Sequence, residues 1–257
     1  MRYEPSPMRT LLFAVLSVAL AACSPPPRTP VDAGPDTSCG LDCTAQQEFG
    51  LIVNRCFEYS SDPLAPEVLQ PSLGAWVREV FELEGGVKTI PVEYRQGGQI
   101  LGIDYFAFDS GNLVLMRRIA RNSSVTYRSG TTITGVTWLP LGAGANQNFS
   151  TTRDAFLSSD NSSTSTVYRV TTSDSTASEK RNPAGVATDT AFTLIFGETP
   201  DHGSDSRRVF VPGTGFTVIT SPFNLAGNPS AIPNHLQRIR DIGTPDAGPE
   251  GCSLGVP

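Results

Sequence analysis

Through the body of the chain, apolar and polar side chains alternate with a period of two, the repeat of a half-buried β-strand. In VKTIPVEYR, Ile90, Val92 and Tyr94 share one face, while Thr89, Pro91 and Glu93 share the other. In DTAFTLIFGE, Phe192, Leu194 and Phe196 alternate with Thr193 and Ile195. RRVFVPGTGFTVIT, Arg207–Thr220, reads as two short strands around the turn PGTG. Similar runs cover Trp76–Leu83, Gln99–Phe108, Asn112–Ile119, Thr131–Leu139 and Thr166–Thr172. The turn signals EGG, QGG, DSGN and RSG separate several of them. About nine short strands joined by turns predict an all-β fold, an antiparallel β-sandwich or jelly-roll-like barrel.

Three stretches depart from that rhythm. Within Thr44–Tyr59, TAQQ predicts the start of a short helix ahead of EFGLIVNRC, although Gly50 and the Val and Ile content leave a strand open. In Ser150–Ser178, sixteen of twenty-nine residues are Ser or Thr. Exposed edge strands and surface loops both fit such a composition, and loops flanking a strand at Thr166–Thr172 are the expectation. AIPNHLQRIR predicts a short terminal helix, with Asn234 near its start and His235 capping or packing rather than catalysing.

The N-terminal region has a different logic. LLFAVLSVALAA, Leu11–Ala22, is apolar almost throughout and follows Arg9. Twelve helical residues span about 18 Å, too little for a bilayer core of about 30 Å, so the run reads as the hydrophobic region of a secretory signal. Met8 opens the more usual signal sequence, MRTLLFAVL, whereas Glu4 is foreign to such a segment. The run ends in LAAC, Leu20–Cys23, which resembles the bacterial lipobox: an aliphatic residue, two small residues and a cysteine in register. The resemblance covers the first 23 residues. It implies that Cys23 is lipidated and becomes the first residue of the mature protein. Membrane contact would then run through acyl chains, each methylene contributing about 0.8 kcal/mol. Ser24 rather than Asp follows the cysteine, which in enterobacterial lipoproteins favours outer-membrane sorting.

SPPPRTPVDAGPDTS, Ser24–Ser38, holds five prolines and no apolar pattern. It reads as a solvated polyproline-like tether reaching at most about 45 Å. PVDAGPD is echoed by TPDAGPE at Thr244–Glu250, and both are similar to spacers of lipoproteins from myxobacteria and related deltaproteobacteria. The expected layout is a signal peptide over 1–23, a tether over 24–38, one β-rich domain over 39–240, and a spacer-like tail over 241–257.

Composition narrows the partners. The chain has 39% hydrophobic and 17% charged residues, as globular domains do, and its net charge of −6 disfavours a nucleic-acid partner. The local basic groups Arg117, Arg118 and Arg121 read as a solvated strand or loop edge. Setting Cys23 aside leaves Cys39, Cys43, Cys56 and Cys252, an even set that predicts two disulfides in an exported protein. Cys252 is expected to bridge back to the N-terminal group, tying the tail down. The spacing lacks the paired CxxC knuckles of common zinc modules.

Catalytic signatures are missing: the chain has no GxSxG elbow, HExxH, Walker loop or GxGxxG in a strand-to-helix setting. The two histidines are His202 and His235. Asp201, His202 and Asp205 in ETPDHGSDSRR are the best candidates for a carboxylate–imidazole or metal site, yet these residue types are also those a polar hairpin loop selects. Trp138 and Trp76 are the candidates for stacking on sugar rings, with Trp138 expected to be the more exposed because it precedes LPLGAG. No cofactor is implied. The sequence thus predicts a lipid-anchored envelope protein, at the outer membrane, with a structural, adhesive or binding role and an envelope-protein or polysaccharide partner. The alternatives are a glycan- or polymer-binding module and an exported hydrolase or metal-dependent enzyme.

Overall fold

The computed structural model describes residues 41–60, 73–96, 99–120, 123–175, 190–199, 206–219 and 236–241. Helix α1 (Cys43–Phe49) precedes fifteen strands among these residues. The first eight are β1 (Cys56–Ser60), β2 (Leu73–Val77), β3 (Phe81–Leu83), β4 (Val87–Gln96), β5 (Gln99–Asp109), β6 (Asn112–Ala120), β7 (Ser123–Ser129) and β8 (Thr132–Ile133). They are followed by β9 (Val136–Leu139), β10 (Asn148–Leu157), β11 (Ser162–Asp174), β12 (Phe192–Thr199), β13 (Ser206–Val211), β14 (Gly215–Ile219) and β15 (Leu236–Asp241).

The strands pair antiparallel in the order β8-β7-β10-β11-β12-β13-β14-β15-β1-β2-β4-β5-β6-β9, with β3 attached to β4 alone. Strand β6 divides its partners. Leu113–Leu115 pair with β9, and Arg117–Ala120 pair with β7. The second pairing leads the hydrogen-bonded path from β6 back to β7, so the sheet bends around one shared core. That core takes Tyr59, Val77, Tyr94, Phe106, Leu115, Trp138, Tyr168, Phe196 and Phe210, all buried, from strands all along the path. Turning alternate residues of these strands inward removes this apolar surface from water.

The all-β, antiparallel expectation is met, with more and differently placed strands than the sequence pattern predicts. The faces assigned to Ile90, Val92 and Tyr94 and to Phe192, Leu194 and Phe196 point into the core, while Ile195 is exposed. Two stretches need correction. Ser150–Leu157 is not a loop but part of β10, in ten-residue register with β11 from Asn148↔Thr171 to Leu157↔Ser162. Thr is β-branched and suits a strand whose outer face is wet. Thr166, Tyr168, Val170 and Thr172 are buried, and Arg169 and Thr171 between them are exposed. Likewise Leu236–Asp241, expected to be helical, is β15, inserted between β14 and β1.

The predicted N-terminal helix is present. Its N-cap is Asp42, two residues ahead of where TAQQ places it, and the Asp42 side chain accepts from the Ala45 N–H at 3.0 Å. Gly50 ends it in the left-handed region, φ +66°. The turn between β13 and β14 completes the cap, since the Gly213 N–H donates to the Glu48 carbonyl at 2.8 Å. Phe49 then stacks on Phe108 and packs against Phe210. A Cβ on Gly50 would lie 2.4 Å from the Thr214 carbonyl oxygen. Gly50→Ala should therefore lower stability by about 2 kcal/mol or more in urea denaturation. Gly130→Ala, at φ +59° but with open space around its Cβ, should lose only about 1 kcal/mol of backbone strain.

Candidate functional site

The core is not wholly apolar. Asp104 on β5 stands directly opposite Arg118 on β6, and both point inward. A strict alternation along β6 would not allow this. Leu113 and Leu115 face the core, so period two would bring Arg117 inside next. Instead Met116 and Arg117 together oppose Tyr105, a β-bulge that resets the alternation by one residue. From there Arg118 and Ala120 face the core, while Met116 and Ile119 join an apolar cluster on the outer face.

The Arg118 guanidinium grips both Asp104 oxygens, with Nε 2.7 Å from Oδ1 and an Nη 3.0 Å from Oδ2. Arg208 on β13 reaches the same Oδ2 at 3.2 Å and donates to the Tyr94 hydroxyl at 2.8 Å. Tyr94 in turn donates to Asp104 Oδ2 at 3.3 Å. The Arg208 guanidinium carbon lies 4.3 Å from the centroid of the Trp138 ring, on which Phe196 stacks at 4.4 Å. The Trp138 Nε1–H donates to the Tyr168 hydroxyl. Glu198 on β12 is also buried, opposite Tyr168 and beside Tyr127. Two guanidinium and two carboxyl groups thus share the interior.

Burial by itself pushes the Asp104 carboxyl up, but the charges and hydrogen bonds of Arg118 and Arg208 outweigh it and hold the group below the usual carboxylate range. Arg118 is raised, its own desolvation being overcome by the Asp104 charge. Burial raises the hydroxyls of Tyr94, Tyr168 and Tyr127, and the Glu198 carboxyl adds to the rise at Tyr127. Asp104, Arg118 and Arg208 are 0%, 4% and 1% exposed. The network is therefore a set of fixed charges that cross-link β4, β5, β6 and β13, with no face turned to solvent. A small apolar cavity of about 20 Å³ lies nearby, lined by Phe49, Leu51, Phe57, Tyr59, Tyr94 and Phe106 among others, with room for one water-sized molecule at most.

The residues singled out from sequence fall elsewhere. Trp138 is a correction: it is fully buried rather than exposed, enclosed by Phe106, Phe196, Phe216 and Arg208. Trp76 is 6% exposed on the outer face of β2, and the guanidinium carbon of Arg78 already covers its ring at 3.8 Å. Glu93 holds both Arg78 and Arg95 beside that ring. Neither tryptophan offers a sugar a free face. Arg118 is the second correction, a buried ion-pair member instead of part of a solvated edge; Arg117 does pair with Glu84 at the surface. Cys43 carries a free thiol, so the four cysteines do not form two disulfides among themselves. Cys56, 1% exposed, is disulfide-bonded, and its partner lies outside the described residues. Cys23, Cys39, Cys252, Arg121, Asp201, His202, Asp205 and His235 also lie outside them. Among the described residues, no group of three His, Cys, Asp or Glu side chains is placed to hold a metal ion.

The signal for the buried network was present but ambiguous: Asp104 interrupts ILGIDYFAF, and Arg117–Arg118 interrupts LVLMRRIA. A lone charge in an apolar run marks either an outward position or a paired inward one, and the bulge that decides between them leaves no residue signature. No protein-family model, curated protein or solved structure matches this chain.

Two outcomes follow from the geometry. Asp104→Ala leaves two guanidinium groups buried without their carboxylate and should cost about 3–5 kcal/mol in chemical denaturation. Asp104→Leu combined with Arg118→Met and Arg208→Met should recover most of that loss. Because the folded carboxyl is held below its unfolded value, its contribution is complete above about pH 4 and disappears as pH falls through the lowered folded value. Wild-type stability should fall steeply on that acid limb, and the triple variant should show a flatter one.

Proposed function

We propose that the chain is a lipid-anchored cell-envelope protein that carries its β domain on a proline-rich tether and serves a structural, adhesive or binding role. The observation that carries this reading is the register of Leu20–Cys23 behind the apolar run Leu11–Ala22. A thioether-linked lipid on Cys23 would hold the domain at a membrane without a spanning helix. The tether Ser24–Ser38 then sets how far the domain can stand from the bilayer, up to about 45 Å.

The C-terminal tail belongs to the same reading. Asp241, the last residue of β15, stands opposite Phe57, the neighbour of Cys56. Cys252 follows eleven residues later (252 − 241), a length that reaches up to about 36 Å when extended. A Cys56–Cys252 bond would pin the tail and, with it, the one strand that joins β14 to β1. Cys39 is the competing partner. Export into an oxidising compartment accounts for such a bond in a domain of this size.

Mass analysis of the mature N-terminus should find a diacylglyceryl-modified Cys23, and Cys23→Ser should move the protein from the membrane to the soluble fraction. An unmodified cysteine there removes the anchor. Unreduced peptide mapping should recover Cys56 joined to Cys252; recovery of a free Cys252 thiol would contradict the tie.

A further inference from the structure

Strand β4 changes partners along its length. Val92–Arg95 pair with β2, and Ile90–Gln96 pair with β5. The segment before them, Val87–Thr89, pairs with β3 alone, and β3 has no other strand partner. The hairpin Phe81–Thr89 therefore leaves the main sheet at Ile90. It turns through Gly85 and Gly86, at φ +81° and +80°, both with almost empty space around them. Its strand ladder is its own, and the Thr89 hydroxyl adds a side-chain bond to the Phe81 carbonyl at 2.8 Å.

What the hairpin covers is apolar. Leu83, 4% exposed, and Val87 pack with Tyr105, Ala107, Val114, Met116 and Ile133 in a cluster separate from the main core. That cluster lies on the outer face of β5 and β6, the face opposite Phe106 and Leu115. The ring of Phe81 rests 5.7 Å from that of Tyr105 yet is half exposed. At the tip, Glu84 pairs with Arg117, whose Nε also donates to the Thr126 hydroxyl at 2.9 Å. Glu84 remains 67% exposed, so the pair is a weak, salt-screened latch.

We infer that the hairpin Phe81–Thr89 is a flap that opens as one unit about Arg78–Val80 and Ile90, uncovering an apolar strip on β5 and β6 while the main sheet stays folded. It keeps its own ladder when it lifts, so opening sacrifices the Phe81, Leu83 and Val87 contacts and one exposed ion pair but no hydrogen bond of the main sheet. Segments held by so few buried contacts sit at the low end of local stability. The inference does not depend on the lipid anchor.

Native-state hydrogen exchange on the whole chain tests it. Amides of Phe81–Thr89 should exchange at least about a hundredfold faster than those of Leu101–Ala107 and Leu113–Arg118. Leu83→Ala should speed exchange in the hairpin about tenfold or more and increase binding of an apolar dye, without changing the rates in β5 and β6. Hairpin amides that exchange together with the main sheet would overturn the flap, as would acceleration spread evenly across β5 and β6. Should Leu83→Ala not fold, Glu84→Gln carries the same comparison: faster exchange confined to the hairpin is expected, and an unchanged hairpin rate removes the latch.

Discussion

One carboxylate shared by two guanidinium groups ties four strands together inside the core. Asp104 is fully buried, and burial alone would drive it to the neutral form. It stays charged because Arg118 meets it with both arms of the guanidinium and Arg208 meets it from across the core. Each arginine is tolerable in the interior for the same reason. The consecutive strands β4, β5 and β6 and the sequence-distant β13 must therefore all be in place for the whole set of buried charges to be satisfied. Apolar alternation fixes which face of each strand turns inward, but a two-residue slip would keep that face while separating Asp104 from Arg118. A charge triad that is satisfied in one register excludes the neighbours.

The β-bulge at Met116–Arg117 serves that requirement. By adding one residue opposite Tyr105 it lets a single strand feed two surfaces: Leu113 and Leu115 line the core at one end, and Arg118 and Ala120 line it at the other. The outward-facing residues of β6 are not wasted on solvent. Val114, Met116 and Ile119 build the outer cluster on which Leu83 and Val87 rest. The buried ion pair and the flap thus share one local irregularity, and the reach of β6 to both β9 and β7 depends on the same strand.

Helix α1 has a comparable double duty. Its C-terminus receives the Gly213 N–H from the β13–β14 turn, and Phe49 enters the aromatic stack with Phe108 and Phe210. The close backbone approach of Gly50 to Thr214 and of Gly215 to Phe49 leaves room for glycine at both positions. Helix α1 is thereby packed onto strands distant in sequence.

The sequence by itself determined the strand character, the inward faces of β4 and β12, the short helix at TAQQ and the lipobox-like register at Cys23. Each of these is written in local spacing, which a single segment carries whatever surrounds it. Only the tertiary structure decided that Arg118 turns inward, that Trp138 is enclosed, that the Thr-rich β10 pairs along its whole length, and that LQRIRD is a strand. An inward arginine and an outward one occupy the same place in an alternating pattern until a bulge elsewhere sets the phase. A short polar segment becomes a strand when two neighbours offer it unpaired backbone groups, as β14 and β1 do for β15. The physical reason is the same in both cases: the phase of a strand and the satisfaction of its backbone are properties of its partners, and partners are chosen by the fold.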